Sequence, residues 1–167
     1  METERILFKT IDYCDRDILY YILTDERVIP YLNMSKPSSI EDIDMLIAKY
    51  KDHINKGDFE GFSMFEKKSG AFIGVWLFKL DLYNDDAYES TLYLHPDYQN
   101  KGYGKETLTF MTDYFFKNYK ITNLRSYIKE RNSASAAVLN RCGYQLEKIF
   151  DVEGIPGKIH SYLMKRK

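Results

Sequence analysis

Two glycines one residue apart, Gly102 and Gly104, lie between a predicted strand that ends near residue 94 and a predicted helix that begins near Tyr103. A helix N-terminus leaves about four backbone N–H groups without partners and carries roughly half a positive charge, so it favours anions. Glycine has no Cβ, which lets a phosphate approach the main chain, and Lys101 and Lys105 add positive charge. The sequence therefore predicts a phosphate-binding turn here.

The spacing of these glycines differs from that of two common phosphate loops. The chain has no Gly-x-x-x-x-Gly-Lys-Ser/Thr segment, and Thr107 stands where a dinucleotide-binding fingerprint needs its third glycine. Kinase and dinucleotide-fold interpretations are therefore disfavoured. Taken alone, the two glycines also fit a simple turn into a helix.

The turn resembles the acetyl-CoA pyrophosphate loop of the GNAT acetyltransferase superfamily. The shared pattern is Gln99-x-x-Gly102-x-Gly104, preceded by a strand and by His95-Pro96. The resemblance implies that acetyl-CoA is the co-substrate and that an N-acetyl group is transferred.

A second segment resembles the other signature of that superfamily, a short helix led by asparagine that ends in glycine and an aromatic residue. Here the helix starts at Asn132 and stops at Gly143-Tyr144. The pair Asn132 and Ser135, with Glu89 on the preceding strand, is most similar to the branch that acetylates the N-termini of ribosomal proteins.

The resemblance assigns the contacts with CoA residue by residue. Main-chain amides of the turn should hold the pyrophosphate, the fourth strand should splay from the fifth to admit the pantetheine arm, and Asn132 should bond to that arm or cap its helix. The residues implied to bind CoA are Leu92, Tyr93, Leu94, Gln99, Asn100, Lys101, Gly102, Tyr103, Gly104, Lys105, Asn132 and Ser135.

Catalytic roles are implied in the same way. The backbone amide of Leu94 should face the thioester oxygen, where one fixed donor contributes ~3–4 kcal/mol. Glu89 should accept the amine proton through water, because a carboxylate with a pKa of ~4.3 is a weak base. Many superfamily members use a tyrosine as the acid at the position of Leu139, and the resembled branch has a serine at the position of Ser135. Glu89 and Ser135 also have simple structural interpretations. Glu89 could be a solvated strand residue, and Ser135 could be a first-turn serine that bonds back to the main chain.

Composition limits the remaining possibilities. The 167 residues carry 24 basic and 25 acidic side chains, so the net charge of −1 argues against nucleic acid and anionic membranes as partners. No apolar run reaches the ~18 residues of a membrane span, and no signal-peptide pattern is present, which predicts a cytoplasmic protein. Two cysteines form neither a disulfide framework nor a metal motif.

The charge is unevenly distributed along the chain. Residues 1–90 have 11 basic and 18 acidic side chains, whereas residues 91–167 have 13 and 7. Chance explains such a split as well as function does. If it is functional, the basic half meets the phosphates of CoA and the acidic half meets an amine, with Asp25, Glu26 and Tyr31 in one wall of the acceptor site.

Periodicity predicts the order βααβββαβαββ. Strands are expected at residues 5–11, 59–66, 71–80, 86–94, 124–129, 144–150 and 158–165, and residues 28–37 should form a loop. Ser38 or Ser39 should cap the second helix, with Glu41 completing a capping box. The expected fold is a single GNAT-like α/β (α+β) domain over residues 1–167, a mixed, mostly antiparallel sheet of about seven strands with helices on both faces.

The acceptor and the assembly remain open at this stage. A peptide N-terminus, a polyamine or an aminoglycoside-like amine would each suit an acidic wall, and the chain is expected to be a monomer or a homodimer. The alternative is a non-catalytic acyl-CoA-binding sensor or scaffold of the same fold, which Leu139 favours. No metal is expected.

Overall fold

A computed structural model describes residues 1–57, 59–81 and 88–166. One seven-stranded sheet has the order β1-β2-β3-β4-β5-β7-β6, and every neighbouring pair is antiparallel except the parallel pair β4–β5. The element order and the mixed sheet agree with the sequence prediction. The strands are β1 Ile6–Thr10, β2 Phe59–Glu66, β3 Phe72–Leu80, β4 Tyr88–Leu94, β5 Asn123–Lys129, β6 Gln145–Val152 and β7 Ile155–Lys165.

Four helices cover the two faces of the sheet: α1 Arg16–Thr24, α2 Ile40–Lys56, α3 Tyr103–Asn118 and α4 Ser133–Arg141. Among the described residues, no helix combines the length and the apolarity that crossing a bilayer would require. A capping box does open α2, but its partners are Ser39 and Asp42. Glu41 was the wrong partner, because the third helical residue after a cap at Ser39 is Asp42.

The β6–β7 hairpin and the loop before α2 differ from the prediction. The β6–β7 hairpin is longer than expected because Val152 pairs with Ile155 across a tight turn at Gly154, whose φ is +78°. The predicted loop contains one 3-10 turn, Ile29–Tyr31. The first two residues of the strand expected at 86–94 lie outside the described residues.

Each face of the sheet has its own apolar core. On the face covered by α3 and α4, called here the α3–α4 face, Trp76 and Phe78 of β3 pack against Phe115, and the Phe78 and Phe115 rings are 3.6 Å apart. On the opposite α1–α2 face, Ile22 and Ile47 are among the residues that enclose Val75. The sheet is thus fixed from both sides.

The parallel contact between β4 and β5 is short. In the described part of the chain the two strands pair only at Tyr88–Leu124 and Glu89–Arg125, and just beyond these pairs the hydroxyls of Ser90 and Ser126 are 2.7 Å apart. Further along, β5 stays paired with β7, whereas residues 91–94 of β4 have left β5. The resulting gap, called here the fork, lies between residues 91–94 and residues 127–129.

Candidate active site at the fork of the sheet

The turn before α3 offers six consecutive main-chain donors. The N–H groups of residues 100–105 have no acceptor in the described part of the chain, whereas the Gln99 N–H donates to the Pro96 carbonyl, 3.2 Å away. Asn100 (φ +59°) and Gly102 (φ +86°) take the left-handed conformation, which turns successive amides into an anion-binding concavity. The turn therefore suits a diphosphate, with donors from Asn100 to Lys105.

Arg5, just before β1, supports this turn from outside. Its Nη1 donates to the carbonyl of Lys101 at 3.0 Å, and its Nε lies 2.7 Å from a carboxylate oxygen of Glu106. The guanidinium also lies over the Tyr103 ring, 4.4 Å from its centroid. Because these contacts occupy the carbonyl side of the turn, the amides stay directed to the opposite side.

Beside the turn, β4 presents an unpaired edge to the fork. The His95 N–H donates to Ile73 of β3 at 2.8 Å, and main-chain groups alternate between the two edges of a strand. Those of Leu92 and Leu94 therefore point into the fork, in agreement with the side-chain donors that reach the carbonyls of Ser90 and Leu94. This edge can hydrogen-bond an extended ligand as an additional strand would.

A slot on the α3–α4 face connects the turn with the fork. A Cβ built on Gly104 would lie 3.8 Å from Leu92 and 4.0 Å from Val138, so β4, α3 and α4 converge at this glycine. Because residue 104 is a glycine, no side chain stands between the turn and β4 at this junction, which is called here the slot.

Asn132 and Ser135 border the slot from α4. The Asn132 side-chain oxygen accepts the Ser135 N–H at 3.1 Å, so Asn132 is the N-cap of the helix. Within the described residues, the Asn132 amide nitrogen and the Ser135 hydroxyl make no hydrogen bond, and both are available to a ligand. Leu139, where the superfamily often has a tyrosine, is buried in the core.

Glu89 lies on the α1–α2 face, at the closed end of the fork. Its carboxylate is 3.3 Å from the Lys79 ammonium and accepts a hydrogen bond from the Thr91 hydroxyl at 3.0 Å. Burial raises the pKa of Tyr93, and the charge of Glu89 raises it further. Tyr50 has a raised pKa mainly because of burial as well, so two protonated phenols accompany the carboxylate.

Tyr93 is placed differently from the other residues predicted to bind CoA. Its side chain packs with the α1–α2 core and its hydroxyl is 3.7 Å from the sulfur of Met34. By the alternation along β4, its main chain faces β3. Tyr93 therefore borders the fork on the α1–α2 face. This side of the fork is called here the acceptor side, because a second substrate would enter from it.

A buried ionic group lies below Glu89. Arg125, which pairs with Glu89 across the two strands, holds Glu147 through two bonds of 2.8 and 3.0 Å, and its guanidinium lies 3.8 Å from Asp81. The Tyr127 hydroxyl donates to Asp81 at 2.6 Å. These contacts fix the floor of the acceptor side.

The loop between α1 and α2, residues 25–39, covers the fork at the ends of β4 and β5. The Asn33 amide nitrogen donates to the Tyr127 carbonyl at 2.6 Å, and Arg131 donates to the Pro30 carbonyl at 3.0 Å. The Asn33 side-chain oxygen is buried without a partner in the described part of the chain. The β5 side of the fork and the segment after β5 are thus tied to this loop.

The acidic wall expected at this loop is not a free anionic surface. Asp25 is 2.7 Å from Arg27, and this hydrogen bond lowers its pKa to about 2. Arg27 continues to Asp97 at 2.9 Å, which links the loop to the turn after β4. Because Arg27 holds Asp25, a cation would not find Asp25 available. Glu26 and Tyr31 are exposed.

Arg5, Asn33 and Arg27 were not identified from the sequence. Each contacts the site from more than 60 residues away along the chain, as in the contact of Arg5 with Lys101. Short spacing patterns contain no signal of such a contact. For Arg5, the order of the strands is the one feature that could have suggested the contact, because it brings β1 beside β2.

Comparisons with known proteins agree with this geometry. A family profile described as the acetyltransferase (GNAT) domain matches residues 5–145. The uncharacterized N-acetyltransferase p20 of Bacillus licheniformis is 23% identical over 158 residues, which is 94% of this chain and 89% of that protein.

Two solved structures have the same fold. An acetyltransferase from Salmonella typhimurium that modifies the N-terminal serine of a 50S ribosomal subunit protein superposes with a TM-score of 0.84 at 16% identity, over 99% of this chain and 97% of that one. Spermidine N-acetyltransferase from Vibrio cholerae, in complex with CoA and spermine, gives 0.81 at 15% identity, over 98% and 96%. With the matched profile and the fork geometry, these findings show that the chain belongs to the GNAT acetyltransferase family.

Proposed function

We propose that this protein transfers the acetyl group of acetyl-CoA to a primary amine by direct attack in a ternary complex. The observation that carries the proposal is the run of six free amides at residues 100–105, continued by the open edge of β4. An anion site and an extended-chain site that meet at one slot are what a diphosphate with a pantetheine arm requires. The CoA bound to the Vibrio cholerae enzyme of the same fold supports this assignment.

Residues 100–105 would hold the pyrophosphate, and Leu92, Leu94 and Asn132 the arm. Acetyl-CoA supplies an activated acyl group as a thioester. The neutral amine attacks the thioester carbon, a C–N bond forms, and the C–S bond breaks with its electron pair on sulfur. The Leu94 N–H stabilises the oxygen on which negative charge develops.

Two proton transfers complete the reaction. Glu89 takes the surplus proton of the amine through water, and Lys79 and Thr91 hold its carboxylate in place. The departing thiolate takes a proton from water, either directly or through the Ser135 hydroxyl, which takes up a proton from water as it gives one. The acceptor itself is an amine such as a peptide N-terminus, a polyamine or an aminoglycoside-like compound.

The experiment measures CoA release and acetylated product with a panel of amines for the wild type, Glu89→Gln and the control Glu60→Gln. Glu60 is a β2 carboxylate away from the fork. We expect Glu89→Gln to lower kcat about 10²-fold with unchanged CoA affinity, and Glu60→Gln to match the wild type. Equal kcat for wild type and Glu89→Gln would exclude the base role.

A second candidate is a non-catalytic acyl-CoA-binding scaffold, favoured by the burial of Leu139 where a tyrosine acid is common. It requires tight CoA binding without acetylation of any amine in the panel. The product assay therefore separates the two functions.

A further inference from the structure

Lys129, the last residue of β5, has an enclosed side-chain stem and an ammonium without a carboxylate partner among the described residues. It is 8% exposed, and none of the carboxylates in residues 1–57, 59–81 and 88–166 forms an ion pair or a hydrogen bond with it. Burial lowers the pKa of Lys129, and the charge of Arg131 lowers it further. The Lys129 ammonium keeps contact with solvent, so an anion from outside the chain can reach it. An anion bound there would accept a charge-assisted hydrogen bond that no group of the described residues accepts.

The position of Lys129 in the sheet places it at the acceptor side of the fork. Its neighbour Ile128 belongs to the core of the α3–α4 face, so Lys129 faces the α1–α2 side, as Glu89 does. Glu89 pairs with Arg125, and beyond this pair, where the strands have separated, Tyr93 and Lys129 each lie four residues further along their own strand. The two residues therefore border the fork from opposite sides.

A second cation lies at the same end. Arg131 donates to the Pro30 carbonyl, which places its guanidinium beside the loop that closes the fork. None of the nearby acids forms an ion pair with Lys129 or Arg131 in the described residues, because Arg27 holds Asp25 and Asp97, and Glu26 and Glu130 are exposed. The outer end of the acceptor side thus offers two cations without ion pairs, whereas its closed end carries Glu89.

We propose that the acceptor molecule carries a carboxylate as well as its amine, and that Lys129 binds this carboxylate. This inference rests on the proposed function and narrows its substrate class. A peptide N-terminus with an acidic residue at its second or third position, or a free amino acid, has both groups. A polyamine has only cations, which Lys129 and Arg131 would repel.

The test compares matched tripeptide amides, Ser-Asp-Ala and Ser-Asn-Ala, which differ by one charge at nearly equal size. Free serine and spermidine distinguish an amino acid and a polyamine from a peptide. The proteins are the wild type, Lys129→Met, Lys129→Glu, Lys129→Arg and the control Lys120→Met, whose exposed lysine makes no hydrogen bond or ion pair with the described residues.

We expect the wild type to prefer the Asp peptide over the Asn peptide about tenfold in kcat/KM. The preference should disappear in Lys129→Met, reverse in Lys129→Glu, and persist in Lys129→Arg and Lys120→Met. The KM for acetyl-CoA should be the same in all five proteins, because Lys129 lies away from the turn.

Calorimetric titration of both peptides into the CoA-bound protein tests the same preference without turnover. Equal affinity and equal kcat/KM of the two peptides in the wild type would overturn the inference while leaving acetyl transfer intact. Retention of the preference by Lys129→Met would overturn it too. Failure of the proposed function has a different signature, the absence of acetylated product from every amine.

Discussion

The guanidinium of Arg5 donates a hydrogen bond to the main-chain carbonyl of Lys101, 3.0 Å away. This contact joins the start of the chain to the turn that precedes α3. Arg5 also pairs with Glu106 inside α3, so it links the carbonyl side of the turn to the helix whose N-terminus faces the ligand. The proposed phosphate site is thus shaped by a residue that would not touch the phosphate.

Replacement of Arg5 should therefore affect acetyl-CoA more than catalysis. We expect Arg5→Ala to raise the KM for acetyl-CoA about tenfold, equivalent to ~1.4 kcal/mol, with kcat nearly unchanged. Arg5→Lys keeps a charge but not the forked donors, so it should rescue only partly. Arg16→Ala is the control, because Arg16 pairs with Asp44 on the surface. Steady-state kinetics check this, and a fall in kcat alone would contradict a positioning role.

Gly104 should show opposite effects on stability and on binding. It lies in the first turn of α3 with a φ outside the left-handed region, and a Cβ there would make only ordinary contacts at 3.8 and 4.0 Å. Gly104→Ala should raise the free energy of unfolding by ~0.5–1 kcal/mol and weaken CoA binding. Urea unfolding and calorimetry measure the two effects. Unchanged CoA affinity would mean that the ligand does not use this slot.

Asn132 has two functions that one pair of variants can separate. Asp also caps helices, so Asn132→Asp should change the free energy of unfolding by less than ~0.5 kcal/mol, whereas Asn132→Ala should lose ~1 kcal/mol. Both variants lack the amide nitrogen that is free to donate, so both should bind CoA more weakly. If Asn132→Asp binds CoA as the wild type does, capping is the sole role of Asn132.

Gly74 of β3 is required by the close approach of β4. A Cβ on Gly74 would lie 2.3 Å from the Tyr93 carbonyl oxygen, so Gly74→Ala should cost ~3 kcal/mol. Gly70→Ala is the control, since its φ of +72° costs ~1 kcal/mol and nothing lies within 4 Å of the added atom. Thermal and urea unfolding compare the two. Equal losses would show that β4 yields at Tyr93.

Local patterns were sufficient for the turn and the helices. The glycine pair, the Asn132 cap and the apolar spacing of α3 act within a few residues, and the structure has each of them where the sequence predicts it. The ion pairing of Asp25 could not be predicted. Its pair with Arg27, and the further pair of Arg27 with Asp97, depend on how the loop packs against the turn after β4. The enclosure of Lys129 likewise depends on tertiary packing, which leaves no periodic signal in the sequence.

The seam between Glu89 and Arg125 has a mechanical consequence. Strands β1 to β4 and strands β5 to β7 form the two halves of the sheet, and within the described residues only two residue pairs join them. A ligand that lies along Leu92 and Leu94 would take the place of an additional strand between these two halves. Such a ligand would add hydrogen bonds across a seam that the apolar core of the α3–α4 face already holds together.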